Sequence, residues 1–429
     1  MRVRMGPAIA PQERNAMASR DVVITGLGVV SAYGTDSQVF YDSLAAGEVA
    51  IRPTPWLPED SGTFMAPVVD FNPADWMSDS VADGTDSFAQ FALAATAQAL
   101  DMAGLESLDA LRTALVVGTA MGGTRSIQRA QSLFEREGPD AVPRKTQIQV
   151  WPNMAAAQIA MRYDVHGPSL TVCTACASSL DAVGTATRFI QGGLADVAVC
   201  GASEGANFEI DFRPALHENQ TSFGMVTPTT DPTKACRPFD RDRTGIAGGD
   251  GSGMFVLEAR EHAEARNAKI LGVVRGYGSL ADGHHPSSPE PSGRWEAEVM
   301  RQAIADASLP DGTKITAVYA HATGTPAGDA AEIKAINTVH GSRGTDLLAT
   351  SLKGHFGHPG GSAAALNLAA ALIGMGQGEV LPTASTVHPD PEIGFSVVLG
   401  KPRQANVDAL QLNAFGFGGQ NASLVITPN

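Results

Sequence analysis

The hydrophobic positions fall into short β-branched runs separated by alanine-rich segments, and this alternation predicts strands layered with helices. Residues 21–26 read as a buried strand, because Val22 to Thr25 are all β-branched and the run stops at a glycine. Similar runs stand at 115–118, 169–172, 196–201 and 253–257. Alanine-rich segments at 88–104 and 177–191 predict helices between them. The pattern then starts again. Strands are expected at 270–274, 315–320 and 424–426, and helices at 296–307 and 361–376. The helices at 177–191 and 361–376 carry few large side chains, so their backbones can approach closely. Strands alternating with helices indicate an α/β protein, and the repetition predicts a duplicated α/β/α layered unit. The expected organisation is an N-terminal extension over 1–20, a first half over 21–265 and a second half over 266–429.

Composition narrows the function classes. A chain of 429 residues exceeds one typical domain, which suits two halves. The net charge of −15 argues against nucleic-acid binding. Four cysteines, Cys173, Cys176, Cys200 and Cys236, are too few for a disulfide scaffold and fit a reducing cytoplasm. No apolar run approaches the ~18 residues of a membrane span. The first residues, with Arg2, Arg4, Glu13 and Arg14 and no apolar centre, do not read as a signal peptide.

Cys176 lies where the strand at 169–172 gives way to the helix at 177–191. A helix N-terminus favours a thiolate, and alanines on both sides suit a tight elbow, so a lowered thiol pKa is expected. A buried structural cysteine is an equal reading of the local sequence. Cys173 and Cys176 also match C-x-x-C, but Cys173 reads as part of the strand, which weakens a redox pair. A zinc site would need two more ligands at matching spacing, and Cys200 and Cys236 are isolated.

Three later blocks accompany this cysteine. They are His321-Ala322-Thr323-Gly324-Thr325-Pro326-Ala327-Gly328-Asp329, then Lys353-Gly354-His355-Phe356-Gly357-His358, then Asn413-Ala414-Phe415-Gly416-Phe417-Gly418-Gly419-Gln420-Asn421. With Thr174-Ala175-Cys176-Ala177-Ser178, and with Pro238-Phe239-Asp240 and Gly251-Ser252-Gly253 between, the order resembles the β-ketoacyl-acyl carrier protein synthases of the thiolase superfamily. The resemblance covers about residues 21 to 427. Ala322 replaces the usual glycine, Gly354-His355-Phe356 replaces a serine-led tripeptide, and Ser362 stands where alanine is usual.

The resemblance implies a thiolase-like fold and a Cys176–His321–His358 triad of the elongating type. It also implies decarboxylative Claisen condensation of an acyl thioester on Cys176 with a malonyl thioester. The family reading makes Cys176 and Phe417 the oxyanion-hole donors, and Lys353 and Glu332 a supporting pair or a plain structural ion pair. It makes Thr323, Thr325 and Phe415 substrate contacts, with Met121 as a pocket wall or a plain core residue. Substrates would arrive on the phosphopantetheine of an acyl carrier protein, with no metal or organic cofactor. Arg125 and Arg129, in a basic stretch with Arg136, Arg144 and Lys145, are the candidate docking site. The chain would act as a homodimer, or as a heterodimer with a chain-length-factor-like subunit. His355 would stand near the site without a role. A non-catalytic chain-length-factor-like partner is the alternative, and the presence of Cys176 argues against it. A thiolase acting on coenzyme A esters would need a late second cysteine, and none follows Cys236.

Overall fold

The computed structural model describes residues 20–54, 63–205, 229–341 and 344–429. The expected extension therefore falls outside the described residues except for Arg20. That residue is anchored by ion pairs to Asp196, at 2.8 Å, and Glu261.

One mixed sheet of eleven strands organises the described chain. In chain order these are β1 (Val22–Val30), β2 (Thr113–Gly118), β3 (Ser169–Val172), β4 (Val197–Glu204), β5 (Gly251–Ala259) and β6 (Gly272–Ala281). They continue with β7 (Ile315–Tyr319), β8 (Gly344–Thr350), β9 (Phe395–Val397), β10 (Ala409–Gly416) and β11 (Gln420–Thr427). The spatial order is β9-β8-β7-β10-β11-β6-β1-β5-β4-β2-β3. β1 and β6 meet in the middle as an antiparallel pair, with Val22 opposite Val274.

The order repeats outward from that junction. On one side β1 pairs antiparallel with β5, and β5 with β4, before β4, β2 and β3 run parallel. On the other side β6 pairs antiparallel with β11, and β11 with β10, before β10, β7 and β8 run parallel. The expected duplication is thus written in both strand order and strand direction. β8, β9 and β10 were not expected from the pattern.

The inner strands are buried on both faces, so their side chains alternate between two apolar layers, whereas the edge strand β3 is partly exposed. Along β4, Ala198, Cys200 and Ala202 face the inner layer, whereas Val197 and Val199 face an outer one. The outer layer of the first half holds helix α1 (Ser87–Ala103), capped by Asp86 and closed by the left-handed Gly104. Glycines in β1 let α1 lie directly on the strand. A Cβ at Gly26 or Gly28 would sit 2.0 Å from the carbonyl oxygens of Ala99 or Ala95. Helix α2 (Thr124–Glu137) follows on the surface. The inner layer holds α3 (Ser178–Gln191) and, from the second half, α6 (Ala363–Gln377); side chains of both join one apolar cluster. Between them in sequence, α4 (Arg294–Ala307) and α5 (Pro326–His340) cover the outer face of the second half. In both halves the third strand, β3 or β8, leads towards an inner helix.

Candidate active site

Cys176 sits on a sharp elbow. β3 ends at Val172, and Cys173 lies exposed one residue beyond it rather than inside the strand. A single turn, Ala175–Ala177, then leads into α3. Ala175 has φ +49°, a left-handed conformation that costs a non-glycine residue roughly 1–2 kcal/mol. Hydrogen bonds hold the turn. The N–H of Thr174 donates to Ser178 Oγ at 3.0 Å, and Ser178 Oγ donates to the Ala175 carbonyl at 2.7 Å. Thr174 Oγ1 donates to Asp181, which also accepts from the Tyr277 hydroxyl at 2.6 Å. The loop after β10 closes over the elbow, where a Cβ at Gly416 would stand 3.0 Å from the Cys176 nitrogen.

The second half supplies two histidines. His321 follows β7, and its main chain is gripped from both sides. Its N–H donates to Glu332 Oε1 at 2.9 Å, and the Lys353 ammonium donates to its carbonyl oxygen. Glu332 also accepts from the Ala322 N–H at 2.6 Å and from Asn413 Nδ2 at 3.1 Å. Lys353 and Glu332 thus hold the His321 main chain from its two sides, as the supporting-pair reading of the sequence requires. His358 is buried, with its N–H on the Ala247 carbonyl at 2.8 Å. Its Nε2 lies 3.0 Å from Cys176 Sγ. The two imidazoles stand edge to face, centroids 5.4 Å apart, and the Phe415 ring lies 5.9 Å from His321.

Burial dominates the electrostatics. It pushes the Cys176 thiol up to about 11, against the Lys353 charge and the N–H groups of Phe417 and of Cys176 itself, which pull it down. The lowered pKa expected from the helix N-terminus is overturned, because the cost of burying a thiolate exceeds what these donors return. Burial, and next to it the Lys353 charge, holds His321 and His358 well below the usual histidine range. Both imidazoles are therefore neutral. Among the described residues His358 Nδ1 is buried without a partner, so the single proton is better placed on Nε2, facing the sulfur. The ligand atoms of Cys176, His321 and His358 lie within 4.8 Å of one another. That is close enough for a metal ion, but the buried Lys353 ammonium disfavours a cation there.

Residues 19–263 match the β-ketoacyl synthase N-terminal domain, and residues 271–387 match the β-ketoacyl synthase C-terminal domain. The chain belongs to the β-ketoacyl synthase family. It is 32% identical to a 3-oxoacyl-(acyl-carrier-protein) synthase 2 of Synechocystis sp., over 95% of this chain and 98% of that one. Among solved structures it resembles the ishigamide ketosynthase/chain length factor, at 31% identity and a TM-score of 0.87 over 96% of this chain and 100% of that one. A ketosynthase bound to a hexaketide, in complex with its type II polyketide acyl carrier protein, gives 25% identity and a TM-score of 0.86 over the same shares. This ketosynthase is accordingly a condensing acyltransferase with a thiolase-like fold.

The remaining candidate residues of the ketosynthase spread outward from the triad. The hydroxyls of Thr323 and Thr325 lie 3.0 Å apart, Thr323 buried and Thr325 at the N-cap of α5. Phe415 is buried, whereas Phe417 is exposed. Met121 is 36% exposed in the single chain. Arg125 and Arg129 are exposed on α2, and Arg136 and Arg144 are exposed nearby. Lys145 is engaged with Asp83 at 3.0 Å. His355 does not join the site. Its ring is wholly buried, with Nδ1 2.9 Å from the Glu48 carbonyl oxygen and Nε2 2.8 Å from that of Pro382. Sequence reasoning passed over Asn413, which holds Glu332, and over the buried Glu204. The one signal for Glu204 is an acidic residue closing an otherwise apolar strand.

Proposed function

We propose that Cys176 carries the growing acyl chain and that His321 and His358 serve decarboxylation of a malonyl unit delivered on acyl carrier protein. The observation that carries this is the 3.0 Å approach of His358 Nε2 to Cys176 Sγ, beside a second neutral imidazole. Loading begins as the Cys176 sulfur attacks the acyl thioester and the thiol proton passes to the carrier thiol that is displaced. The tetrahedral oxyanion takes hydrogen bonds from the N–H groups of Cys176 and Phe417, each worth roughly 3 kcal/mol. The carrier thiol leaves with the proton, and the acyl group remains on sulfur. The malonyl thioester then loses carbon dioxide, and His321 and His358 donate to the enolate oxygen. The enolate carbon attacks the acyl carbonyl, releases the Cys176 thiolate and yields a β-ketoacyl product.

Outer residues take supporting roles in the same reading. Thr323, Thr325 and Phe415 line the path of the phosphopantetheine arm, Met121 walls the acyl pocket, and Arg125 and Arg129 meet an acidic carrier protein. No metal or organic cofactor enters these steps. The partner copy, identical or chain-length-factor-like, pairs along β3, which ends the sheet and leaves Leu170 exposed. Four free thiols suit a cytoplasmic location, and no helix among the described residues is long and apolar enough to cross a membrane. The two family matches meet between residues 263 and 271, which supports a division of the halves near residue 265.

Labelled acyl thioester separates the roles. Cys176→Ala should not load, whereas His321→Ala and His358→Ala should load and fail to condense. Normal condensation by either histidine variant would remove that residue from the mechanism. Mass spectrometry of carrier-bound products then reads chain length, and with it fatty-acid or type II polyketide chemistry.

A further inference from the structure

Glu204 ends β4 with no exposure to solvent, and its carboxylate gathers donors from both halves of the chain. Oε1 accepts from Thr119 Oγ1 at 2.8 Å and from the Met121 N–H at 3.0 Å. Oε2 accepts from the Ala120 N–H at 2.8 Å and from the Gly361 N–H at 3.0 Å. Residues 119–121 form the loop after β2 that carries Met121. Gly361 lies three residues beyond His358, in the turn Gly360–Ser362 that opens α6.

The approach depends on the glycines. A Cβ at Gly360, already at φ +47°, would stand 3.0 Å from Glu204 Oε2, and one at Gly361 3.1 Å from it. A Cβ at Gly361 would also stand 2.8 Å from the Ala120 nitrogen, so the two loops touch. The segment carrying His358 thus has two fixed points, the Ala247 carbonyl at one end and the Glu204 carboxylate at the other. At Met121 the carboxylate holds the main chain and leaves the side chain free. Hydrogen bonds to a charged acceptor in a buried setting are strong and reinforce one another.

We infer that Glu204 is a positioning residue that ties the acyl-pocket loop at 119–121 to the His358 segment, so that the chain held on Cys176 bears on the placement of the decarboxylating histidine. This rests on the roles proposed above for Met121 and His358. A long acyl chain presses on the Met121 loop. With the tie intact, the loop and the histidine stay in register. Without it the loop yields and His358 loses its place, most severely for long chains. Glu204→Gln keeps the shape but turns an amide NH2 towards main-chain donors. Thr119→Val removes one of the four bonds to Glu204, together with the bond that Thr119 Oγ1 accepts from the Gly122 N–H at 3.1 Å.

The test uses the full-length chain with a short and a long acyl thioester. It measures Cys176 loading, condensation with malonyl carrier protein, and melting temperature. Glu204→Gln should load both acyl groups as the parent does. It should lose condensation by roughly a hundredfold for the long one, the scale of a ~1 Å misplacement, and clearly less for the short one. Thr119→Val should shift the long-to-short ratio in the same direction by a smaller factor, and it decides the matter if Glu204→Gln does not fold. Equal losses for both chain lengths, or loading that falls in step with condensation, would overturn the tie. His358→Ala is run alongside. Its normal condensation would defeat the histidine assignment. If it loads without condensing while Glu204→Gln condenses normally, the tie alone is wrong.

Discussion

His358 Nε2 lies 3.0 Å from Cys176 Sγ, although the two residues come from opposite halves of the chain. Each stands just ahead of an inner helix, α3 or α6, in equivalent positions of the repeated strand order. The duplication therefore builds the site, since one half presents the cysteine and the other, at the matching place, the imidazole that faces it. A site at the carboxyl ends of parallel strands is the usual location in such sheets.

The resting pair is a protonated thiol beside a neutral imidazole, and this predicts a pH profile. Burial raises the Cys176 pKa to about 11, so the thiolate fraction grows about tenfold per pH unit below that value. Alkylation of Cys176 by iodoacetamide, in a Cys173→Ala background to silence the exposed thiol, should accelerate steadily as pH rises towards that value. A plateau near neutral pH would show a thiolate already formed at rest.

His355 gives a prediction about stability, not chemistry. Its two ring nitrogens face the carbonyls of Glu48 and Pro382, but a neutral ring has a single N–H and the Glu48 carbonyl also accepts from the Tyr33 hydroxyl at 2.8 Å, so His355→Ala strips one hydrogen bond and leaves a cavity. A buried carbonyl left unpaired costs about 1–3 kcal/mol. Urea unfolding at neutral pH should show a large loss, while loading and condensation per folded molecule persist. The pH dependence has a definite sign. Burial lowers the His355 pKa from 6.5, so its contribution is present above that value and is lost as pH falls below it, where the unfolded chain takes up a proton. The stability gap between parent and variant should therefore narrow on acidification. A gap that widens would mean the folded ring is charged.

The parts legible in the sequence were those where a local rule and the global fold agree. Val22 to Ile24 are β-branched and wholly buried, and the alanines of α3 and α6 allow an inner helical layer between strands. The Cys176 elbow was legible for the same reason, because small residues surround it. β10 was not legible. Gln411 and Asn413 interrupt its apolar run, yet both are buried and satisfied by His340, Ser423, Met300 and Glu332, which no local pattern can anticipate. α2 read as a basic stretch because its apolar residues, Ile127 and Phe134, lie on an exposed face. The Cys176 pKa went the other way because helix polarity is visible in sequence and burial is not.

Docking should respond to charge on α2. The proposed carrier-protein partner is acidic and this chain carries −15, so productive encounter needs a local cationic surface, and salt screens both effects. Reversing Arg125 and Arg129 to glutamate should raise KM for the carrier-bound substrate and leave turnover of a small thioester mimic unchanged. Equal loss on both substrates would assign these arginines to the fold rather than to docking.

Met121 tests the acyl pocket. Its side chain is 36% exposed in the single chain, and its main-chain N–H is fixed by Glu204. Truncation of a fully buried methionine costs about 2–5 kcal/mol, and this position should cost less because part of the side chain already meets solvent. Met121→Ala should therefore melt close to the parent, which makes its products informative. Methionine fills volume but bends easily, so it ends a tunnel softly. Removing it should let carrier-bound products lengthen by mass spectrometry while turnover on short acyl groups continues. An unchanged product distribution from a well-folded Met121→Ala protein would reject the pocket role. A large drop in melting temperature with unchanged products would mean that the side chain serves packing alone.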